Sequence, residues 1–276
     1  MDRTGINAEF TAYYAQPYSS STTSSPDEIK ELLGNIPLPT ITHTQREQLE
    51  LDITVEEVEH AIYGLKSGKA TGPNSIPIEL YKILATKLAP RMLKMYEESA
   101  SVGVLPADQR MATIVVLPKA GKSPHKCASY RPISLLNAEA KILAKVLATR
   151  LIPLLPALIH PDQSGFMPHR STALNLRRLH GVLAQASKIL EDAVIFSLDA
   201  RKAFDMVEWG FLFAVLERFG LGPKFINWVR LLYTHSMTRV KLNDGASLPF
   251  ELQRSTRQGY PLSPLLFAMA LEPLVA

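Results

Sequence analysis

Apolar and polar positions change period along the chain, and the changes mark its elements. Val55, Val58, Ala61, Ile62 and Leu65 recur at helical spacing behind Thr54 and Glu57, a pair that forms a capping box. Ser25-Pro26-Asp27-Glu28 reads as another helix start, with a cap, a proline at the first position and acids in the first turn. That helix stops at Gly34, and Pro37 and Pro39 make an extended link. Helical patterns also cover Ile78–Ser101 (with a break expected at Pro90), Ala138–Ile159, Thr172–Leu190, Val207–Phe219 and Phe225–Tyr233. Ala112–Leu117 and Tyr130–Leu136 are short apolar runs that read as buried strands, and a hairpin is expected from Thr238 to Gln253, turning at Asn243-Asp244-Gly245. The last element is an apolar helix beginning near Leu265. Residues 1–25 look poorly structured and end in a Ser/Thr-rich run. With no internal repeat and no strict strand–helix alternation, the fold class is α+β and helix-rich.

One stretch carries candidate chemistry. From Ala193, an apolar run of strand formers ends at Asp199, and the turn ARKAFD follows before the helical pattern resumes. A carboxylate at the end of a buried strand can be held at the lip of a cleft as a metal ligand. An aspartate that ends a strand can equally well cap the next turn, and the stretch alone leaves both readings open.

Composition narrows the class. At 276 residues the chain can bury roughly three quarters of its unfolded surface. A single cysteine, Cys127, leaves no disulfide partner and no thiolate cluster, and in its polar loop it reads as incidental. The N-terminus has no signal pattern, and the most apolar long stretch, Ile142–Ile159, contains Lys145, Arg150, Pro153 and Pro156 and cannot cross a membrane. An intracellular chain, in nucleus or cytoplasm, is expected. Charge is unevenly spread: residues 1–60 hold three basic against eleven acidic residues, a net of −8, whereas residues 110–150 hold eight basic residues against Glu139, a net of +7. The basic region coincides with expected core elements, which points to a polyanionic partner. The loop Lys66–Asn74 has lysines and glycines but lacks the spacing of a phosphate-binding loop, so it reads first as a helix–helix connection, with contact of its lysines and amides to a nucleic-acid backbone as the alternative.

Four blocks then occur in order: LPKAGK…YRPISLLN…KILAKVLATR, HPDQSGFMPHRST, FSLDARKAFDMVEW and STRQGYPLSPLLFAMALEPL. Together they resemble the reverse transcriptase domain of LINE-type (non-LTR) retrotransposons, from about Thr54 onward. The resemblance implies the fingers and part of the palm of a right-hand polymerase, with the thumb absent. Residues 1–45 would be an N-terminal extension, 46–190 a fingers-like region and 191–276 the partial palm.

It also implies roles. Asp199 matches the first catalytic aspartate and, with the carbonyl of Ala200, a ligand of two Mg²⁺ ions. Phe204 falls on the steric-gate position that favours deoxynucleotides, and Asp205 reads as a cap of the following helix. Lys119 and Arg131 match the basic pair that grips the triphosphate, and Gln258 and Gly259 lie against the incoming nucleotide. Gln163, Gly165, Phe166 and Arg170 resemble the template-contacting block, with a packed loop and one salt bridge as the ordinary alternative. Tyr260 stands where the family often has cysteine. The implied reaction is RNA-directed DNA synthesis, with an RNA template, a DNA primer and deoxynucleoside triphosphates as partners.

The chain also departs from that pattern. It has no Asp-Asp pair, and Glu272 is the sole acid after the RQG block. The expectation is therefore a fragment that is inert alone, the alternative being a non-catalytic RNA- or DNA-binding remnant. The terminal apolar helix is expected to leave an exposed patch.

Overall fold

A computed structural model describes residues 3–20, 24–189, 194–200, 202–242 and 245–275. Helix α1 (Arg3–Ala15) and a following 3-10 turn through Tyr18 occupy the region expected to lack structure. The reason is aromatic burial: Tyr14 and Tyr18 pack with Ile114, Val240 and Leu252 in a cluster of their own, with Phe10 and Tyr13 at its edge. Helices α2 (Pro26–Gly34), α3 (His43–Glu50) and α4 (Val55–Gly64) each start with a full capping box, closed by Ser25 and Glu28, Thr42 and Gln45, and Thr54 and Glu57 respectively. Each box satisfies two otherwise orphaned amides, worth about 1 kcal/mol per cap.

The next helical stretch breaks at Leu84, into α5 (Ile78–Ile83) and α6 (Ala85–Val102), and not at Pro90, which lies inside α6. Burial of Ala89, Met92 and Tyr96 holds α6 across the bond that proline removes. After the single turn α7 (Ala107–Arg110) come strands β1 (Met111–Pro118) and β2 (Tyr130–Leu136), which pair antiparallel with Leu117 opposite Arg131. Cys127 lies buried at this hairpin's tip, where its carbonyl accepts from the Tyr14 hydroxyl, and so is not incidental to a polar loop. Helix α8 (Ala138–Leu151) is buried on most of its circumference, as an interior helix must be, and continues through a 3-10 turn into α9 (Leu155–Leu158). Helix α10 spans Thr172–Ile189.

Helices α11 (Trp209–Arg218) and α12 (Pro223–Tyr233) lead to β3 (Met237–Leu242), which runs parallel to β1 with Ile114 opposite Val240. Short strands β4 (Gly245–Ala246) and β5 (Phe250–Glu251) both return antiparallel onto β3, while the turn residues 243 and 244 lie outside the described residues. Helix α13 (Ser263–Leu271) closes the fold. Its side chains from Leu265 to Ala270 are buried, so the expected exposed patch is confined to Leu274 and Val275 just beyond it, 79 and 47% exposed. The larger apolar core runs from Ile29 to Ala270 and joins α2–α6, α8, α9 and α11–α13, without α1 or α10.

The expected strand ending at Asp199 is the main difference. Residues 194–200 carry no strand pairing, and Val194, Phe196 and Leu198 are 75, 84 and 96% exposed. A strand exists only where a neighbour completes its backbone hydrogen bonds, and none of β1–β5 pairs with this segment. Its first residue, Ala193, lies outside the described residues.

Candidate functional site

The RQG block forms a loop held from inside by Arg257. This side chain is 2% exposed and donates to the carbonyls of Arg110 and Met237 and to the hydroxyls of Ser236 and Tyr260. Ser255 and Arg257 take positive φ of 113° and 50°, conformations that persist only where the surroundings over-determine them. Tyr260, the departure from the family pattern, fills the core beside Arg257, with that guanidinium 5.6 Å from its ring centroid. Gly259, at φ 105°, lies on the surface against β2. A Cβ there would come within 3.1 Å of the Leu136 side chain and 3.2 Å of the Ser134 carbonyl.

Gln258 donates its side-chain amide to Asp205 at 3.4 Å. Asp205 is 5% exposed and sits inside a 3-10 turn (Ala203–Met206); α11 is preceded by Glu208, so Asp205 does not cap it. Burial pushes the Asp205 carboxyl above the ordinary aspartate value, opposed by the hydrogen bond from Tyr18 and the charge of Lys202. Thr256 donates its amide to the Phe204 carbonyl at 2.9 Å, which ties the RQG loop to the same turn.

Phe204 is half-buried and stacks on Phe267 of α13 with centroids 4.6 Å apart, while Phe166 meets it edge-on at 5.4 Å. The ring is thus both a packed aromatic and a partly open face. The rest of the expected template block divides. Arg170 donates to the carbonyls of Ile159, His160 and Gln163, and Gln163 donates to the Ala268 carbonyl, so both brace the loop. Gly165 and Phe166 are exposed. The loop's salt bridge joins Asp162 to Arg178 and does not involve Arg170.

At the β1–β2 tip, Lys119 donates its ammonium to the Ala128 carbonyl at 2.7 Å, and Arg131 is exposed. Lys119 directly follows β1 and donates its amide to the Ser129 carbonyl at 2.8 Å, which ties it to the arm that carries Arg131. At the other end of the hairpin, beside Leu136, opens a cavity of about 290 Å³ lined by Lys66, Lys69, Lys141, Lys145 and Gly259. No carboxylate lines it. Burial holds the Lys141 ammonium below the ordinary lysine value. Sequence reasoning weighed the loop lysines as nucleic-acid contacts but missed their grouping with Lys141 and Lys145. The available signals were the one-turn spacing of Lys141 and Lys145 and the lysines of the Lys66–Asn74 loop. Gly72 packs that loop so tightly on the start of α8 that an added Cβ would overlap the Asn137 backbone and the Leu136 carbonyl carbon.

Asp199 and Ala200 are exposed, in the segment without strand pairing. Among the described residues no three histidine, cysteine, aspartate or glutamate side chains group as metal ligands. Asp205 is committed to Tyr18 and Gln258, and Glu272, 3% exposed, accepts the His160 amide. This donor set does not fit a centre of two Mg²⁺ ions, each of which takes several hard oxygen ligands.

Comparison with known proteins gives the lineage. The family described as reverse transcriptase (RNA-dependent DNA polymerase) matches residues 117–276, more than half of the chain. The chain is 33% identical over 251 residues to the Transposon TX1 uncharacterized 149 kDa protein of Xenopus laevis, covering 91% of this chain and 19% of that protein. It is 27% identical over 224 residues to the Retrovirus-related Pol polyprotein from type-1 retrotransposable element R2 of Popillia japonica, covering 81% and 30%. It is also 27% identical over 221 residues to the RNA-directed DNA polymerase from mobile element jockey of Drosophila melanogaster, covering 79% and 24%. The chain thus spans between 19 and 30% of the length of these relatives. Four ordered motifs, the matched family and these relatives agree: the chain belongs to the reverse transcriptase family, as a domain of the LINE-type, non-LTR retrotransposon branch.

Proposed function

We propose that this chain is the template- and nucleotide-gripping portion of an RNA-directed DNA polymerase, and that alone it binds nucleic acid without synthesising DNA. Residues 46–190 act as fingers and 191–276 as part of a palm. The observation that carries this reading is the cavity of Lys66, Lys69, Lys141 and Lys145 beside Gly259, with lysines from both the 66–74 loop and α8 and without a lining carboxylate. Ammonium groups without carboxylate partners favour a phosphate backbone, and their attraction does not depend on sequence.

Lys119 and Arg131 at the hairpin tip would meet the triphosphate, Gln258 and Gly259 the nucleotide, Phe204 its sugar and Phe166 the template. The half-open Phe204 ring supports the gate role, because a ring backed by Phe267 resists displacement by an extra hydroxyl. DNA synthesis in this family requires metal-held carboxylates that the described residues do not group, so this chain's own contribution is binding and orientation.

The test measures binding of a labelled RNA template–DNA primer across a salt series, then primer extension with Mg²⁺ and deoxynucleotides. Binding that weakens steadily with log salt, without extension, is expected. Extension abolished by Asp199→Asn would overturn the inactivity, and binding indifferent to salt would overturn the phosphate grip.

A further inference from the structure

The N-terminal segment lies outside residues 117–276, which carry the family match. It nevertheless reaches the turn that follows Asp199 and the loop that carries Gln258. The Tyr18 hydroxyl donates to Asp205 Oδ1 at 3.2 Å, and the Gln258 amide donates to the same oxygen at 3.4 Å. The Tyr18 carbonyl accepts the Gln253 amide at 2.9 Å, and the Pro17 carbonyl accepts Arg254 Nε at 2.7 Å. One helical turn earlier, the Lys202 ammonium sits 4.6 Å above the Tyr13 ring. Two aromatic residues of one segment therefore hold both ends of the 202–205 turn, while its backbone carbonyls anchor the approach to the RQG loop.

Tyr18 and Asp205 are each 5% exposed, whereas Gln258 is partly exposed. Burial and the adjacent Asp205 keep the Tyr18 phenol far from ionising, so it acts as a fixed donor. A core side chain needs no hydrogen bond to a residue 187 positions away. This one commits a buried carboxylate to orienting a partly exposed amide, and such a carboxylate is costly unless its bonds are made.

We infer that Tyr18 is a positioning residue: through Asp205 Oδ1 it fixes the side chain of Gln258, so the N-terminal segment is a working part of the nucleotide side of the site. The inference rests on the proposed role of Gln258 for its functional meaning, and on the contacts above for its geometry. With Nε2 held by Asp205, the amide oxygen is the end presented to a ligand, so the arrangement selects a hydrogen-bond donor there.

The test uses the full chain with Tyr18→Phe, which keeps the ring, Asp205→Asn, which keeps an acceptor oxygen, and Asp205→Leu, which removes it. In the ligand-free protein the Gln258 side-chain amide resonances report orientation directly. They should shift and exchange with solvent faster in Tyr18→Phe and Asp205→Leu, and remain near wild type in Asp205→Asn, with the remaining spectrum unchanged. Unchanged Gln258 resonances in Tyr18→Phe would overturn the inference, and unchanged resonances in Asp205→Leu would do the same should Tyr18→Phe fail to fold. In parallel, dGTP affinity should fall about 5- to 10-fold in Tyr18→Phe, the worth of one hydrogen bond, while template binding stays level. The resonance response in the variants, together with no dGTP binding by the wild-type chain, would refute the nucleotide reading of Gln258 and leave the positioning intact.

Discussion

Arg150, at the C-terminal end of α8, donates Nε and Nη2 to the two carboxylate oxygens of Glu57, each at 2.6 Å. The same guanidinium donates to the carbonyls of Leu49, Leu51 and Asp52. One side chain therefore joins the buried helix α8 to the capping box of α4 and to the link after α3.

Removing it should be costly. Arg150→Ala leaves Glu57 and three carbonyls without their donor, and the expected loss is about 3 kcal/mol, the scale of a broken, largely desolvated pair. The acid limb adds a second readout. Burial pushes the Glu57 carboxyl up, but the Arg150 hydrogen bond and the Thr54 amide outweigh it and leave its pKa below the ordinary value. A carboxylate with a lowered native pKa contributes stability above the unfolded value of about 4.3 and loses it as pH falls through the native one. Urea midpoints across that range should therefore converge for wild type and Arg150→Ala toward low pH. Parallel curves would remove the ion pair from the explanation.

Asp205 should behave with the opposite sign. Its native pKa is raised, so the folded state holds its proton more tightly than the unfolded state, and stability falls as pH rises from the unfolded value of about 3.9 through the native one. Asp205→Asn keeps the acceptor and deletes the charge. The variant should gain on wild type as pH rises from about 4 toward neutral, measured as a change in the difference of unfolding free energies. A difference that does not move with pH would show that the carboxylate is not desolvated.

The four-lysine cavity makes a quantitative prediction. Lys141→Ala with Lys145→Ala should weaken RNA binding and reduce the slope of log affinity against log salt by about 0.7 to 0.9 for each phosphate no longer neutralised. An equal pair of substitutions at Lys87 and Lys94, exposed on α6 and outside the cavity, should leave the slope as it was. Equal effects at both places would mean that general charge, and not this cavity, binds the backbone.

Local signals carried most of the fold. The caps at Ser25 and Thr54 are written in neighbouring residues, although the same signal at Thr42 went unread, and Tyr130–Leu136 formed the expected strand because both hairpin arms lie close in the chain. Motif order disclosed the family. What stayed hidden depended on distant partners. Tyr18 meets Asp205 across 187 positions, and no periodicity records that contact. α1 was invisible for the same reason, since its order comes from Tyr14 and Tyr18 packing with Ile114 and Val240 rather than from propensity. The segment ending at Asp199 failed in the other direction: its strand-forming composition was legible, but composition cannot supply the neighbouring strand.

That segment is the place for the last prediction. Ile195, Phe196 and Leu198 are 58, 84 and 96% exposed, and Leu174, Leu176 and Val182 of α10 are 60, 57 and 58% exposed. At the terminal helix the expected apolar surface is limited to Leu274 and Val275, and these two segments expose more of it. Replacing Ile195, Phe196 and Leu198 by serine should lower the fluorescence of a dye that reports exposed apolar surface, because these side chains already face water. Each single replacement should change stability by no more than about 0.5 kcal/mol, as at other exposed positions. Leu266→Ala, in α13 at 0% exposure, is the contrasting case and should cost about 2 to 5 kcal/mol. If the serine variants instead cost as much as Leu266→Ala, the segment is packed in solution, and Asp199 would then sit at the end of an ordered strand, where a metal ligand is expected.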